Sequence, residues 1–333
     1  MDVLQKVAVV GNPNSAKTTL FNGLTGSKQR IGNWPGVTVE RKEGSVVLGE
    51  NSITLVDLPG IYSLSAHSED ERIARDYILS GEPAMVINIV DATNLERNLY
   101  LTTQLLEMRV PILLVVNMLD LAAKNGIFID LAQLEKRLGC TVMGISATSK
   151  EDIQRVKLVL AEVLPKARPS PAHIGYPPAV EAALKRLNPK LEKVATSLGA
   201  EARWVSLKLL ERDPWVTARV VSSGAIAAPE IRKEIDVVES KLGEAVDIVL
   251  ADSRFAFIQE AAGKLIRRTA NKDSFSDRID GVVMHRVFGI PLFLLVMYAI
   301  FWATMSIGGA FTEFFEILFG TIFVDGFGYL LDN

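Results

Sequence analysis

Cysteine is nearly absent from this chain: Cys140 is the single one among 333 residues. An intrachain disulfide is therefore excluded, and a reducing, cytoplasmic setting is expected. Cys140 follows a glycine and precedes an apolar segment, so a buried structural thiol is the expected role. An excess of charge of one sign is also missing. Lys and Arg number 36 against 39 Asp and Glu, a net charge of −3, and bulk charge gives nucleic acid no footing. The first residues, Met1 to Lys6, lack the apolar stretch of a signal peptide. What the chain has in plenty is apolar character, with 49% hydrophobic residues and a mean hydropathy of +0.24. That is high for a wholly soluble protein and directs attention to a membrane segment.

The pattern of apolar residues divides the chain into three zones. Residues 1–166 alternate Val- and Ile-rich runs with amphipathic stretches. The runs Val7–Val10, Ser45–Leu48, Ile53–Val56, Met85–Val90, Ile112–Val116 and Val142–Ile145 predict strands. The stretches Thr18–Leu24, Asp70–Leu79, Leu99–Met108, Asp130–Leu138 and Lys150–Leu164 predict helices. Such alternation predicts an α/β fold with a mostly parallel sheet, and ligands bind such sheets at the carboxyl ends of strands. Residues 167–274 begin with a Pro-rich linker to residue 177 and then read as all helical, over Ala179–Leu187, Pro189–Leu198, Glu230–Leu242 and Ile248–Ala270. This zone carries no motif of chemistry and reads as a coupling module.

Residues 275–333 form the third zone. Val287 to Thr312 is an uncharged run of 26 residues, against the roughly 20 that span a bilayer. A span over about 287–308 is expected. Arg278, His285 and Arg286 precede it, interspersed with Asp277 and Asp280, which places the first 280 residues or so in the cytoplasm. Phe311–Leu331 is apolar but broken by Glu313, Glu316, Asp325 and glycines, so an interfacial or re-entrant segment, or a second span, is expected there. An interfacial role is expected for Glu313 and Glu316. The zone reads as the opening of a longer membrane domain.

Chemistry concentrates in the first zone. Gly11-Asn12-Pro13-Asn14-Ser15-Ala16-Lys17-Thr18 lies between the first strand and the helix that continues through Thr19, as in a phosphate-binding P-loop. Backbone N–H groups and the helix N-terminus wrap the phosphates, Lys17 reaches the β- and γ-phosphates, and the Thr18 hydroxyl ligates Mg²⁺. Asp57-Leu58-Pro59-Gly60 ends a strand, with Asp57 holding Mg²⁺ through water and the Gly60 N–H approaching the γ-phosphate. Asn117-Met118-Leu119-Asp120 ends another, where a carboxylate takes both N–H groups of a guanine edge. Ser146-Ala147-Thr148 ends the last, where backbone N–H groups meet the guanine oxygen. Thr38, in Gly36-Val37-Thr38, is the expected mobile-loop ligand of Mg²⁺. Each motif alone is a common turn or cap, but four in this order at strand ends point to GTP and GDP.

Residues 11–22, 31–44 (Ile-Gly-Asn-Trp-Pro-Gly-Val-Thr-Val-Glu-Arg-Lys-Glu-Gly), 57–64 and 117–120 together resemble the FeoB family of prokaryotic ferrous iron transporters. The resemblance implies a Ras-like P-loop GTPase domain, a helical domain that stabilises bound GDP, and entry into the bacterial inner membrane at Asp277–Phe293. It implies a GTP-driven switch gating Fe²⁺ uptake, with small cytoplasmic Feo proteins and self-association as partners. In this family the P-loop Asn, here Asn14, is held to coordinate K⁺, with the carbonyls of Gly32 and Trp34 completing the cage. A monovalent cation there does the work of an arginine finger. Ras-like proteins carry a water-orienting Gln after Asp-x-x-Gly; Ile61 stands there, so slow hydrolysis is expected. Met118 replaces the commoner Lys of the guanine motif, and weaker affinity with faster exchange is expected.

One position breaks the P-loop pattern. Ala16 stands where Gly normally precedes the Lys, and its methyl weakens nucleotide binding unless the backbone there is already helical. Two further readings stay open: a membrane-tethered regulatory or assembly GTPase without transport, and a nucleotide-independent scaffold if Ala16 abolishes binding.

Overall fold

The computed structural model describes residues 5–26, 29–49, 51–65, 68–268, 283 and 289–320. They fall into two compact units, residues 1–269 and 270–333.

The first unit opens with β1 (Lys6–Gly11), α1 (Lys17–Thr25), β2 (Gln29–Asn33), β3 (Glu40–Leu48), β4 (Asn51–Asp57), α2 (Glu69–Leu79) and β5 (Pro83–Asp91). It continues with α3 (Leu95–Glu107), β6 (Ile112–Asn117), α4 (Leu119–Lys124), β7 (Ile127–Ile129), α5 (Leu131–Leu138), β8 (Thr141–Gly144) and α6 (Lys150–Val163). Seven strands form one sheet in the order β2-β3-β4-β1-β5-β6-β8. From β4 to β8 neighbours run parallel, while β2 and β3 form an antiparallel edge. The two-residue alternation of β1 decides what each face buries. Val7 and Val9 join Leu20 and Phe21 of α1 and Val156 and Leu160 of α6 on one side. Ala8 and Val10 join residues of α2 and α3 on the other. Gly23 lets α1 approach α6 closely: a Cβ there would stand 2.8 Å from the Ile153 Cδ1, which would have to shift.

The chain then forms α7 (Pro178–Ser197), α8 (Ala202–Leu210), α9 (Pro214–Ser222), α10 (Ala228–Leu242) and α11 (Val246–Ile258). The core on the α2–α3 side continues without a break through Ile174 and Tyr176 into these helices. The Pro-rich stretch after residue 166 is therefore packed rather than free.

Three expectations are corrected. The two helices expected on either side of residue 188 are one, with Pro189 inside α7. An interior proline costs about 3 kcal/mol, but Leu184, Leu187, Leu191 and Val194 are buried on both sides of it. Breaking the helix would strip that packing, and each such side chain contributes roughly 1.5–3 kcal/mol. The helix expected to reach Ala270 ends at Ile258, passes through one wide turn to Gly263, and gives way to strand β9 (Ile266–Arg268). Hence the second zone is not wholly helical: β9 pairs antiparallel with β7.

The second unit holds α12 (Gly289–Phe319), 31 residues with none of its most apolar stretch buried. By length and composition it suffices to cross a membrane: at about 1.5 Å per residue it exceeds the roughly 30 Å hydrocarbon layer. The helix continues past Thr312 through Phe319, so the expected span and the start of the segment expected to be interfacial, re-entrant or a second span lie in one helix. Phe311, Phe315 and Phe319 recur at helical spacing with ring centroids 6.5 and 6.0 Å apart, which favours continuation. Arg278, His285, Arg286, Asp277, Asp280 and Asp325 lie outside the described residues, as does the side chain of Glu313.

Candidate functional site

The P-loop starts where β1 ends beside β5. A Cβ on Gly11 would sit 2.6 Å from the Ile89 carbonyl, so only glycine fits there. The loop turns through two left-handed residues, Asn14 (φ 68°) and Ala16 (φ 59°), before α1 begins at Lys17. Asn tolerates that conformation, whereas for alanine it costs roughly 1–2 kcal/mol. The backbone at Ala16 is thus left-handed, and the benign right-handed alternative is ruled out.

The residues suit a phosphate. The first N–H groups of α1 have no intrahelical partner by geometry, and no side chain caps them. Thr18 and Thr19 are exposed in that first turn. Ser15 Oγ and Asn12 Oδ1 are buried without a hydrogen-bond partner. Lys17 is almost wholly buried and is ion-paired with Asp57, at the end of β4. Burial pushes the Asp57 carboxyl above its ordinary value, with the Lys17 ammonium pulling the other way. Lys17 and Asp57 are in contact, and Thr18 follows Lys17 in the first turn of α1; an ammonium, a carboxylate and a hydroxyl are a donor set whose chemistry fits phosphate oxygens and Mg²⁺.

The Asp57–Gly60 segment is laid along the P-loop. Leu58 N–H donates to the Val9 carbonyl at 3.0 Å and Ile61 N–H to the Gly11 carbonyl at 3.1 Å. Gly60 lies beside Pro13, 3.6 Å from where its Cβ would be. Ile61 is buried, so its side chain is aimed at the core and away from any reacting water.

Asn117 closes β6 and joins two loops. Its Nδ2 donates to the Ser15 carbonyl at 2.9 Å, and its Oδ1 accepts from the Ala147 N–H at 2.9 Å. Met118 takes a left-handed turn (φ 61°) that starts α4 and leaves Asp120 exposed in its first turn. Ser146 N–H donates to Asp152 Oδ2 at 2.8 Å. Two of the three N–H groups expected to meet the guanine oxygen are therefore engaged within the site, which leaves that of Thr148.

The remaining expected residues stand in the β2–β3 hairpin. Gly32 is paired with Arg41 in the sheet. Trp34 N–H donates to the Val39 carbonyl, and Val37 N–H to the Trp34 carbonyl, around Gly36 at φ 78°. The Trp34 ring is buried edge-on to Tyr77 of α2 at 5.2 Å, with the Arg41 guanidinium 4.5 Å over its face. Thr38 is exposed, and no hydrogen bond among the described residues joins it to Thr18 or Asp57. Three parts of the site are thus assembled, while Thr38, Gly32 and Trp34 belong to a hairpin held against α2.

Sequence reading missed the links from this site to the helices behind it. Arg75 of α2 is fully buried, stacked 4.1 Å from the Trp215 ring and 3.6 Å from Asp213. Arg254 of α11 holds Glu107 of α3 through two hydrogen bonds of 3.0 and 2.9 Å, and also contacts Glu211 at 2.6 Å. Tyr176 donates its hydroxyl to the same Glu107. A lone Arg254 in the largely apolar stretch 246–258 was the available signal, since such a charge needs a buried partner. Cys140 is only partly exposed, and burial pushes its thiol up to about 12, which agrees with a structural role.

The family profile described as "Ferrous iron transport protein B" matches residues 5–160, and that of the "FeoB cytosolic helical domain" matches residues 176–267. The Fe(2+) transporter FeoB of Escherichia coli K12 is 39% identical over 97% of this chain, which spans 41% of that protein. Among solved structures, the GDP-bound FeoB G-domain of S. thermophilus is 38% identical, with TM-score 0.69 over 79% of this chain and 99% of that one. The apo cytosolic domain of T. maritima FeoB is 35% identical, with TM-score 0.70 over 80% and 100%. The same T. maritima domain has also been solved in a GMPPNP form. The fold, the P-loop and the guanine motif agree with these relatives: the chain belongs to the FeoB family, of which it carries the G domain and the cytosolic helical domain.

Proposed function

We propose that this chain is the nucleotide-operated part of a ferrous iron transporter. A G domain over residues 1–166 binds GTP and hydrolyses it slowly, a helical domain over 167–274 couples it, and a membrane domain begins within 275–333. The observation that carries this reading is the convergence of Lys17, Asp57 and the Asn117 strut at the carboxyl ends of parallel strands. The α1 N-terminus would hold the phosphates, Thr18, Thr38 and Asp57 would hold Mg²⁺, which would neutralise phosphate charge, and Asp120 would hold the guanine. Asn14 and the carbonyls of Gly32 and Trp34 would hold a K⁺, which would supply positive charge beside the phosphates, a role that Ile61 cannot fill because it offers no polar group. For Thr38, Gly32 and Trp34 to take part, the β2–β3 hairpin must leave its seat against Tyr77.

In this reading α12 crosses the bacterial inner membrane, the first 280 residues or so face the cytoplasm, and Fe²⁺ is the cargo of the longer protein. Small cytoplasmic Feo proteins and further copies of the chain are its protein partners. The test is calorimetric titration of the chain with GDP, GTP and ATP in Mg²⁺. Guanine nucleotides are expected to bind and ATP to give no heat, and Lys17→Ala is expected to remove the guanine signal. Equal binding of ATP would overturn the assignment.

A further inference from the structure

Strand β9 is the last element of the first unit, and it comes after the helical domain in sequence. It nevertheless pairs with the G domain, and at a particular place. Ile127, Phe128 and Ile129 of β7 stand opposite Arg268, Arg267 and Ile266. The Asp130 N–H extends the ladder by donating to the Leu265 carbonyl at 3.3 Å. Strand β7 is separated from α4, the helix that begins just after Met118 and carries Asp120, only by the tight turn Asn125–Gly126. Gly126 takes the positive φ of 71° that this turn requires. The G-domain turn Ala92–Asn94, Ile127 and Ile266 line one small cavity, so β9 forms part of its wall. In sequence, β9 leads on to α12.

We propose that the β7–β9 pair is a strap by which the segment leading to the membrane helix holds the guanine-recognition helix α4, and so sets the rate of nucleotide release. The inference rests on the reading of Asp120 as the guanine contact. Helix α4 has six residues, too few to be stable alone, so its position depends on how β7 is anchored. A three-residue strand pair is a weak, local lock, which opens at lower free energy than the sheet behind it. A displacement of the chain at Arg268 therefore reaches Asp120 through one short strand and one helical turn, without passing through the phosphate site.

The ladder alternates between hydrogen-bonded and open pairs, so the bond at Asp130 makes Phe128 and Arg267 the next bonded pair. Phe128 and Arg267 are both exposed. Arg267→Pro removes one strap hydrogen bond while keeping Ile266, and Phe128→Cys with Arg267→Cys allows the strap to be locked by oxidation. The full chain is measured in detergent with a fluorescent GDP analogue. Arg267→Pro is expected to release it about fivefold faster, the scale of one net hydrogen bond, and the oxidised double cysteine to release it more slowly than its reduced form. Hydrogen exchange at Ala122 and Asn125 is expected to quicken in Arg267→Pro, with or without nucleotide, while α8 is unchanged. Unaltered exchange at those two amides, or release rates indifferent to both changes, overturns the strap. Asp120→Asn tests the underlying reading separately, because its amide prefers xanthosine diphosphate. If that preference fails to appear, the guanine assignment falls, and the exchange measurement still decides the strap.

Discussion

Asn117 bridges Ser15 and Ala147, donating to the first and accepting from the second at 2.9 Å each. One buried amide at the end of β6 thereby fixes the P-loop relative to the loop beyond β8. Asn117→Ala leaves a buried carbonyl and a buried N–H without partners, each costing about 1–3 kcal/mol. Nucleotide affinity is expected to fall at least about tenfold, since about 1.4 kcal/mol is a factor of ten. Titration with a fluorescent GDP analogue reads this, and an unchanged circular dichroism spectrum shows that the sheet is retained. Asn117→Asp keeps the acceptor for Ala147 but sets a buried carboxylate oxygen against the Ser15 carbonyl, so its affinity is expected to fall at least as far as that of Asn117→Ala.

Ala16 provides the second prediction. Its left-handed backbone (φ 59°) is strained for alanine and free of strain for glycine. Ala16→Gly is expected to stabilise the domain by about 1 kcal/mol, the steric relief being partly offset by the entropy of the unfolded glycine. It is also expected to tighten GTP binding, because the phosphate-wrapping N–H groups no longer compete with that strain. Equal affinities of the two proteins in a parallel titration would mean that the left-handed turn holds phosphate equally well with either residue.

The buried charges behind the site predict a pH dependence. Burial alone would raise the Glu211 carboxyl, but the Lys208 ammonium and the Arg254 guanidinium outweigh it and hold it at about 2. A folded value below the unfolded 4.5 makes Glu211 stabilising at every pH above 4.5. That contribution fades as pH falls from 4.5 toward about 2. Glu211→Gln is expected to lose about 3–5 kcal/mol at neutral pH, as removal of one partner leaves buried charge uncompensated. Its thermal midpoint is expected to fall less steeply than that of the parent between about pH 5 and pH 3. Parallel slopes in scanning calorimetry would remove Glu211 from the acid response.

The strands that build the floor of the site were legible because each is a long apolar run ended by Asn, Asp or Gly, as in Ile112–Asn117. The short ones were not. Gln29–Asn33 is mostly polar and exposed, and Ile127–Ile129 and Ile266–Arg268 have three residues each. Their conformation comes from pairing across the fold rather than from their own sequence. Helix α8 escaped because no polar face marks Ala202–Leu210, whose last seven residues, Trp204 to Leu210, are all buried. A helix enclosed on every side loses the periodic signal that betrays an amphipathic one. The chemical motifs were readable as words, whereas the seating of Trp34 on Tyr77 and the grip of Arg254 on Glu107 were not. Those contacts join residues from different elements, and nothing in local spacing reports them.

Asn14 is the residue on which the cation proposal depends. It is exposed and left-handed at φ 68°, a conformation asparagine adopts readily, so its amide stands off the loop without strain. Asn14→Gly keeps that backbone and removes only the amide, which makes it a cleaner probe than alanine. GTP turnover of the parent is expected to be faster in K⁺ than in Na⁺ at equal ionic strength, by at least about tenfold, below the range for one lost charge-stabilising contact. In Asn14→Gly the two salts are expected to give the same slow rate, with GDP affinity nearly unchanged because the ion acts on the transferring phosphoryl group. Equal rates for the parent in both salts would refute the cage. A K⁺ advantage that survives in Asn14→Gly would place the ion on other ligands.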